Sequence, residues 1–196
     1  MGLTIHYNGR FSKSASLSEM IEELKDIAEI NNWKFQIYLS RFPKKLYDDN
    51  SHNQKIYGIT IFIPKCDPLC LTFLSNRRMC MPLSLKLWGN STDENEKKYL
   101  YMLFTKTQFA GRNIHKIIIH LFRYISKKYF SEFELIDESK YWETGDEKIF
   151  NDIFNRYEEI FDFVDFALGN IPLGDNESIE EYFERIIKII SNKHKK

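Results

Sequence analysis

Residues 56–74 read IYGITIFIPKCDPLCLTFL, and this stretch points most directly to the fold. β-branched and aromatic residues fill Ile56–Ile63 and Leu69–Leu74, as is typical of strands. The turn Pro64–Pro68 between them is far too short for a crossover helix, so the two strands are predicted to pair antiparallel. The sequence therefore predicts an antiparallel sheet at the centre of the protein.

Further strands and helices are predicted on both sides of this stretch. Alternating or apolar runs predict strands at Leu3–Tyr7, Trp33–Leu39, Met79–Trp88, Tyr99–Thr105 and Phe133–Ile136. Capping boxes, in which a hydroxyl and a carboxylate satisfy each other's free backbone N–H groups, predict helix starts at Ser16–Glu19, Thr144–Glu147 and Ser178–Glu181. A further helix is predicted over Arg112–Lys128, with an apolar stripe formed by Ile114, Ile117, Ile118, Leu121 and Ile125.

This order of elements predicts an α+β fold. We expect a mostly antiparallel sheet of about five to six strands with helices on one face, plus a C-terminal helical pair. The predicted domains are residues 1–145, a sheet domain with two helices, and residues 146–196, an acidic helical pair packed on it.

The charges are unevenly distributed although the net charge is zero. Residues 1–131 carry 20 Lys/Arg and 11 Asp/Glu, whereas residues 132–184 carry 3 Lys/Arg and 17 Asp/Glu. Such asymmetry is typical of a charged partner surface or of internal pairing between the two parts, and we favour internal pairing. Overall neutrality argues against nucleic-acid binding, because phosphate binding requires a basic face.

The absence of several sequence motifs argues against several classes of function. It contains no Walker loop, no G-x-G-x-x-G, no G-x-S-x-G and no H-E-x-x-H motif, so neither a cofactor nor a metal is predicted. The odd count of three cysteines argues against a disulfide framework and favours reduced thiols. Without a signal segment or a membrane-length apolar run, we expect a cytoplasmic protein with no membrane contact.

Two polar stretches are candidates for a ligand site, because each lies between a predicted strand and the helix or loop that follows it. The first contains Lys106 and Gln108, and the second contains Glu138, Tyr141, Trp142 and Glu143. If the two strands are neighbours, Lys106 would hold an anionic group, Gln108 would orient it, and an aromatic residue would supply a wall. The alternative is a structural ion pair between Lys106 and one of the acids.

An enzyme is the alternative to a binding protein. Glu138-Ser-Lys140 is an E-x-K triplet of the kind found in metal-dependent nucleases, and Asp67 is the only candidate for the second acid. A metal-dependent or small-molecule enzyme centred on Glu138, Lys140 and Glu143 is therefore the second hypothesis. The first is a non-enzymatic binding protein, because no catalytic signature is present.

The helix predicted after Thr144 presents a candidate partner surface. At 100° per residue, Asp162, Asp165 and Phe166 project away from the direction of Ile153. A Phe in an acidic field has the character of a contact anchor. The competing interpretation is burial of Phe166 beneath the last helix. Nothing in the sequence predicts the oligomeric state.

Four stretches together resemble an uncharacterised family of bacterial proteins. They are LTIHYNGR at 3–10, KTQFA at 106–110, RYISKKYF at 123–130 and YWETGDE at 141–147. The resemblance extends to about residue 170. It implies a bacterial cytosolic protein and, since the family has no established activity, no reaction class.

Overall fold

The structure is a computed structural model of the chain, and it describes residues 2–174 and 177–193. The strands are β1 (Thr4–Phe11), β2 (Lys34–Ile37), β3 (Tyr57–Phe62), β4 (Leu69–Phe73), β5 (Leu103–Lys106) and β6 (Phe130–Asp137). The α-helices are α1 (Leu17–Ile30), α2 (Pro82–Trp88), α3 (Glu94–Lys97), α4 (Arg112–Tyr129), α5 (Tyr141–Thr144), α6 (Glu147–Asn170) and α7 (Ile179–Lys193). Short 3-10 helices lie at Lys98–Tyr101 and Gln108–Ala110.

The described residues fall into two compact units, one within Met1–Glu147 and the other within Lys148–Lys196. The first unit contains all six strands, and the second contains α7 and almost all of α6. Of the predicted C-terminal pair, residues 175, 176 and 194–196 lie outside the described residues. None of the helices among the described residues combines the length and hydropathy needed to cross a membrane.

The fold is α+β, as predicted, but the prediction of one sheet with five to six strands is wrong. The strands form two antiparallel sheets of three, in the orders β5-β1-β6 and β2-β3-β4. The strands β2, β3 and β4 pair in chain order, as short connections predict. In contrast, β1 pairs with two strands that lie about a hundred residues further along the chain. The local sequence pattern predicts that a segment is a strand, but it does not specify which distant strand pairs with it.

Tyr7 connects the two sheets. This buried residue of β1 donates its hydroxyl to the Cys70 carbonyl oxygen on β4, and the same hydroxyl accepts from the Cys70 amide, both at 3.1 Å. The rings of Phe11 and Phe73, which are also on β1 and β4, lie 5.2 Å apart in an edge-to-face arrangement. A shared aromatic core therefore joins sheets that have separate hydrogen-bond ladders.

The predicted strand Met79–Trp88 is mostly a helix. Met79 makes only a single bridge to Phe73, and the chain then enters α2 at Pro82. Proline suits the first turn of a helix because its ring fixes φ and the missing N–H would be unpaired there. Pro82 therefore marks the start of a helix within the segment predicted as a strand.

The predicted helices α1 and α4 are both present. Ser16 caps α1 by accepting a hydrogen bond from the Glu19 amide at 3.3 Å. In α4 the buried face is rotated from the predicted stripe, so that Ile117 is 40% exposed. The buried residues of α4 are His115, Ile118, Ile119, Leu121, Phe122, Ile125 and Tyr129.

The start of α7 has the predicted capping box. The Ser178 amide donates to the Glu181 carboxylate at 2.8 Å, and the Glu181 amide donates to the Ser178 hydroxyl at 3.1 Å. The box predicted at Thr144 is not where α6 begins, because Thr144 ends α5 and α6 starts at Glu147.

Candidate functional site

The first sheet brings part of the predicted ligand site together. Both β5 and β6 run antiparallel to β1, which lies between them, so the ends of these two strands meet at the start of β1. In the register, Thr4 lies opposite Lys106, and Ile5 lies opposite Asp137, the residue before Glu138. The predicted neighbourhood of the two polar stretches is therefore present, with β1 separating them.

Three of the candidate side chains lie around the first residues of β1. Gln108 accepts a hydrogen bond from the Leu3 amide at 3.2 Å, and Glu138 accepts one from the Thr4 amide at 2.9 Å. A Cβ atom on Gly2 would collide with the side chains of Lys106 and Gln108. Gln108 and Glu138 thus satisfy backbone donors at this sheet end, and this use competes with ligand binding.

The two aromatic candidates lie elsewhere. The guanidinium of Arg123, on α4, donates to the carbonyl oxygens of Tyr141 and Trp142 at 2.9 and 3.1 Å. Tyr141 is only 7% exposed, and its hydroxyl donates to Glu147 at 3.0 Å. Glu143 is exposed and accepts a hydrogen bond from the Asp137 amide at 3.2 Å. Tyr141 and Trp142 thus pack α5 against α4 instead of forming a wall beside Lys106, and Glu143 binds the backbone of β6.

The enzyme hypothesis gains no support from the placement of its residues. Within residues 2–174 and 177–193, no group of three or more His, Cys, Asp or Glu side chains is arranged to hold a metal ion. Asp67, the proposed second acid, accepts a hydrogen bond from the Lys106 amide on β5, whereas Glu138 follows β6 beyond β1. The metal-dependent alternative therefore stays a prediction.

A buried polar cluster, missed by the sequence analysis, lies beneath the same sheet end. Thr107, His115, Asp137 and Ser139 are all 0% exposed. His115 Nδ1 lies 2.6 Å from the Thr107 hydroxyl, and His115 Nε2 lies 2.9 Å from the Ser139 hydroxyl and 3.1 Å from Asp137 Oδ1. The cluster joins the segment after β5, the first turns of α4 and the end of β6.

The hydrogen bonds of this cluster centre on the Asp137 carboxylate. Ser139 donates its hydroxyl to Asp137 Oδ2 at 2.7 Å. His115 Nε2 lies 3.1 Å from Asp137 Oδ1, and the Thr107 hydroxyl, which lies against Nδ1, also donates to the Leu3 carbonyl oxygen at 3.4 Å. Asp137 and Thr107 lie on opposite ring nitrogens, as the acid and the hydroxyl of a nucleophilic triad do, whereas Ser139 shares Nε2 with Asp137. With no exposed surface, the arrangement is that of a structural network.

The network also determines the ionisation of Asp137. Burial raises the pKa of this carboxyl group, but hydrogen bonding and electrostatic attraction from His115, together with hydrogen bonds from Ser139, outweigh that effect. The result is a pKa below its usual range. Asp137 is therefore held as a carboxylate that accepts several hydrogen bonds.

The cations of α4 are largely engaged within the first unit. Lys116 pairs with Glu147 at 2.6 Å, and Lys128 pairs with Glu23 of α1. Arg123 is bound to the carbonyl groups of α5, as described above. Of these contacts, only Lys116–Glu147 joins the basic part of the sequence to the acidic part, because Glu23 belongs to the basic part and Arg123 binds backbone carbonyl groups. Internal charge pairing and the absence of a nucleic-acid partner therefore stay predictions.

The partner-contact candidates lie on the exposed side of α6. Phe166 is 58% exposed, and Asp162 and Asp165 are exposed beside it in the helix. Neither aspartate has an ion pair with any described residue of the chain. These three side chains thus point outward from α6, which is the direction predicted from the sequence, and Phe166 is not buried beneath the last helix.

No protein-family model, no curated protein and no solved structure matches the chain. The resemblance to an uncharacterised bacterial family therefore stays a prediction. The functional conclusion rests on the geometry of the described residues.

Proposed function

We propose that the chain is a non-enzymatic cytoplasmic binding protein that contacts a protein partner through the outer face of α6. The observation that carries this proposal is the 58% exposure of Phe166 beside two exposed aspartates. A large aromatic side chain in such a position is a typical interface anchor, because it buries much area with little loss of conformational freedom.

The chemistry of this face selects the partner. Asp162 and Asp165 lie within one turn of Phe166 and have no cation among the described residues, so their charge acts outward. The complementary surface is basic and offers an apolar pocket for the phenyl ring. Charge attraction would accelerate the encounter, and burial of the ring would slow dissociation.

The experiment that tests the proposal compares charge removal on α6 with charge removal on α7. Wild type and the double variant Asp162→Asn/Asp165→Asn are used to capture proteins from a bacterial cytosol, and each captured protein is then purified and titrated against both. The matched control is Glu180→Gln/Glu184→Gln, which removes two exposed charges from α7.

A partner that binds wild type and the control equally, but binds Asp162→Asn/Asp165→Asn about tenfold more weakly, supports the proposal. Equal binding to all three proteins contradicts it, because the contact would then lie elsewhere.

A further inference from the structure

A cleft in the first unit, distant in sequence from α6, has the features of a ligand site. It has a volume of about 950 Å³ and is lined by residues 10–14, residues 42, 43 and 45–49 of one loop, and the turn at residues 75–77, with Ser131 and Glu132. This volume falls in the range of small-molecule pockets, which is about 300–1,000 Å³.

The turn presents Arg77 to the cleft in a constrained conformation. Arg77 has φ of 68°, a left-handed value that costs a non-glycine residue free energy. Its backbone is held on both sides, because the Arg77 amide donates to Leu74 at 2.9 Å and its carbonyl accepts from Phe11 at 2.8 Å. The fold thus fixes an arginine at a position where glycine would be relaxed.

The guanidinium of Arg77 lacks a carboxylate among the described residues. It lies 4.4 Å from the centre of the Phe42 ring and donates one hydrogen bond, to the Ser12 carbonyl oxygen at 2.9 Å. Partial burial lowers the pKa of this group, since the charged form loses water there. A fork of further N–H donors therefore faces the cleft with its charge uncompensated.

Two more cations that line the cleft also lack a carboxylate partner among the described residues. Lys13 and Lys45 are exposed and have no ion pair with any described residue, and the Lys45 ammonium lies 5.2 Å from the centre of the Tyr47 ring. By contrast, Arg10 pairs with Asp49 at 2.7 Å and with Glu132 at 3.5 Å. Two of the three acids on the cleft are thus consumed by one arginine, and the surplus charge is positive.

We propose that this cleft binds a small phosphate-bearing molecule through Arg77, Lys13 and Lys45. The lining carries four cations and three acids, a surplus of one positive charge, and the three cations without an ion pair face a group that carries about −1.5 to −2 at neutral pH as a phosphate monoester. The guanidinium fork suits two phosphate oxygens, and the Ser12 and Ser14 hydroxyls, which are hydrogen-bonded to each other at 2.9 Å, leave one hydroxyl proton as a further donor. The neutral net charge of the chain disfavours a long polyanion and favours a small ligand.

Calorimetric titration of the full chain with pyrophosphate, ADP and adenosine tests this inference. Wild type is expected to bind pyrophosphate and ADP with a Kd below about 1 mM, and adenosine more weakly than either. Tighter binding of ADP than of pyrophosphate would indicate a nucleotide, and equal binding would indicate phosphate recognition alone. Both outcomes support the site.

The variants locate the binding. Arg77→Gln should weaken pyrophosphate binding about tenfold or more, because a charged hydrogen-bonding group is lost. The control Arg41→Gln removes one exposed charge that does not line the cleft and should change nothing. If Arg77→Gln does not fold, the double variant Lys13→Gln/Lys45→Gln, which changes two exposed residues, tests the site instead. It should also weaken pyrophosphate binding severalfold.

Absence of pyrophosphate binding by wild type at millimolar concentration would overturn the inference. Equal weakening by Arg41→Gln and the cleft variants would do the same, because the attraction would then be a general effect of charge.

Discussion

The imidazole of His115 and the carboxylate of Asp137 lie 3.1 Å apart, from Nε2 to Oδ1, and neither side chain is exposed to solvent. His115 comes from α4 and Asp137 from the last position of β6. Through Thr107 and Ser139, this pair fixes the end of the first sheet against the helix. We expect the pair to contribute to stability and not to catalysis.

Replacement of Asp137 tests that role. Asp137→Asn should lower the free energy of unfolding by about 3 kcal/mol, because a buried charged partner of His115 is removed. The control is Glu134→Gln on the same strand, whose exposed carboxylate should contribute less than about 0.5 kcal/mol. Urea denaturation at pH 7 measures both variants, and equal stability of Asp137→Asn and wild type would contradict the structural role.

The lowered pKa of Asp137 gives the stability of the protein a defined pH dependence. A carboxyl group with a pKa lower in the folded than in the unfolded state stabilises the fold above its unfolded pKa, and this contribution is lost as the pH falls through the folded value. Below about pH 4, wild type should therefore lose stability more steeply than Asp137→Asn. Urea midpoints between pH 5 and pH 2 measure the slopes, and parallel curves would contradict the prediction.

The hydroxyl of Tyr7 should be important for holding the two sheets together. Tyr7→Phe leaves the amide and carbonyl of Cys70 without this partner, so we expect a loss of about 2 kcal/mol in the free energy of unfolding. Tyr99→Phe is the control, because Tyr99 is 48% exposed. Equal stability of the two variants would show that the link between β1 and β4 contributes little.

The three cysteines should be present as slowly reacting thiols. Burial raises the pKa of Cys66 and Cys70 to about 11 and that of Cys80 to about 12. Because the thiolate is the reactive form, a thiol reagent at pH 8 should react slowly with the native protein and should titrate three thiols after denaturation without reductant. Rapid reaction in the native state, or a denatured count of one, would contradict this prediction.

The sequence allowed the local elements to be predicted better than their partners. The cap at Ser16, the box at Ser178 and the helix over Arg112–Lys128 depend on contacts within one turn, and all three are present. The pairing of β1 with β5 and β6 depends on contacts across more than ninety residues, and no local pattern specifies it. This is why one sheet was predicted where two exist.

The same distinction explains the sites. The buried cluster had a detectable signal, because His115, Ile118, Ile119 and Phe122 follow the i, i+3, i+4, i+7 spacing of one buried helix face. The predicted stripe was displaced by one residue from this face and did not include His115. The cleft had no such signal, since Arg77, Lys13 and Lys45 come from separate loops that only the tertiary fold assembles.

The most direct test of the proposed function is the replacement of Phe166 by Ser, measured as the Kd for the purified partner together with the free energy of unfolding. We predict at least about tenfold weaker binding, as for an interface anchor, with stability within about 1 kcal/mol of wild type because the ring is already exposed. Unchanged affinity would contradict the account, and so would a stability loss of about 3 kcal/mol or more, which would show that Phe166 is a core residue.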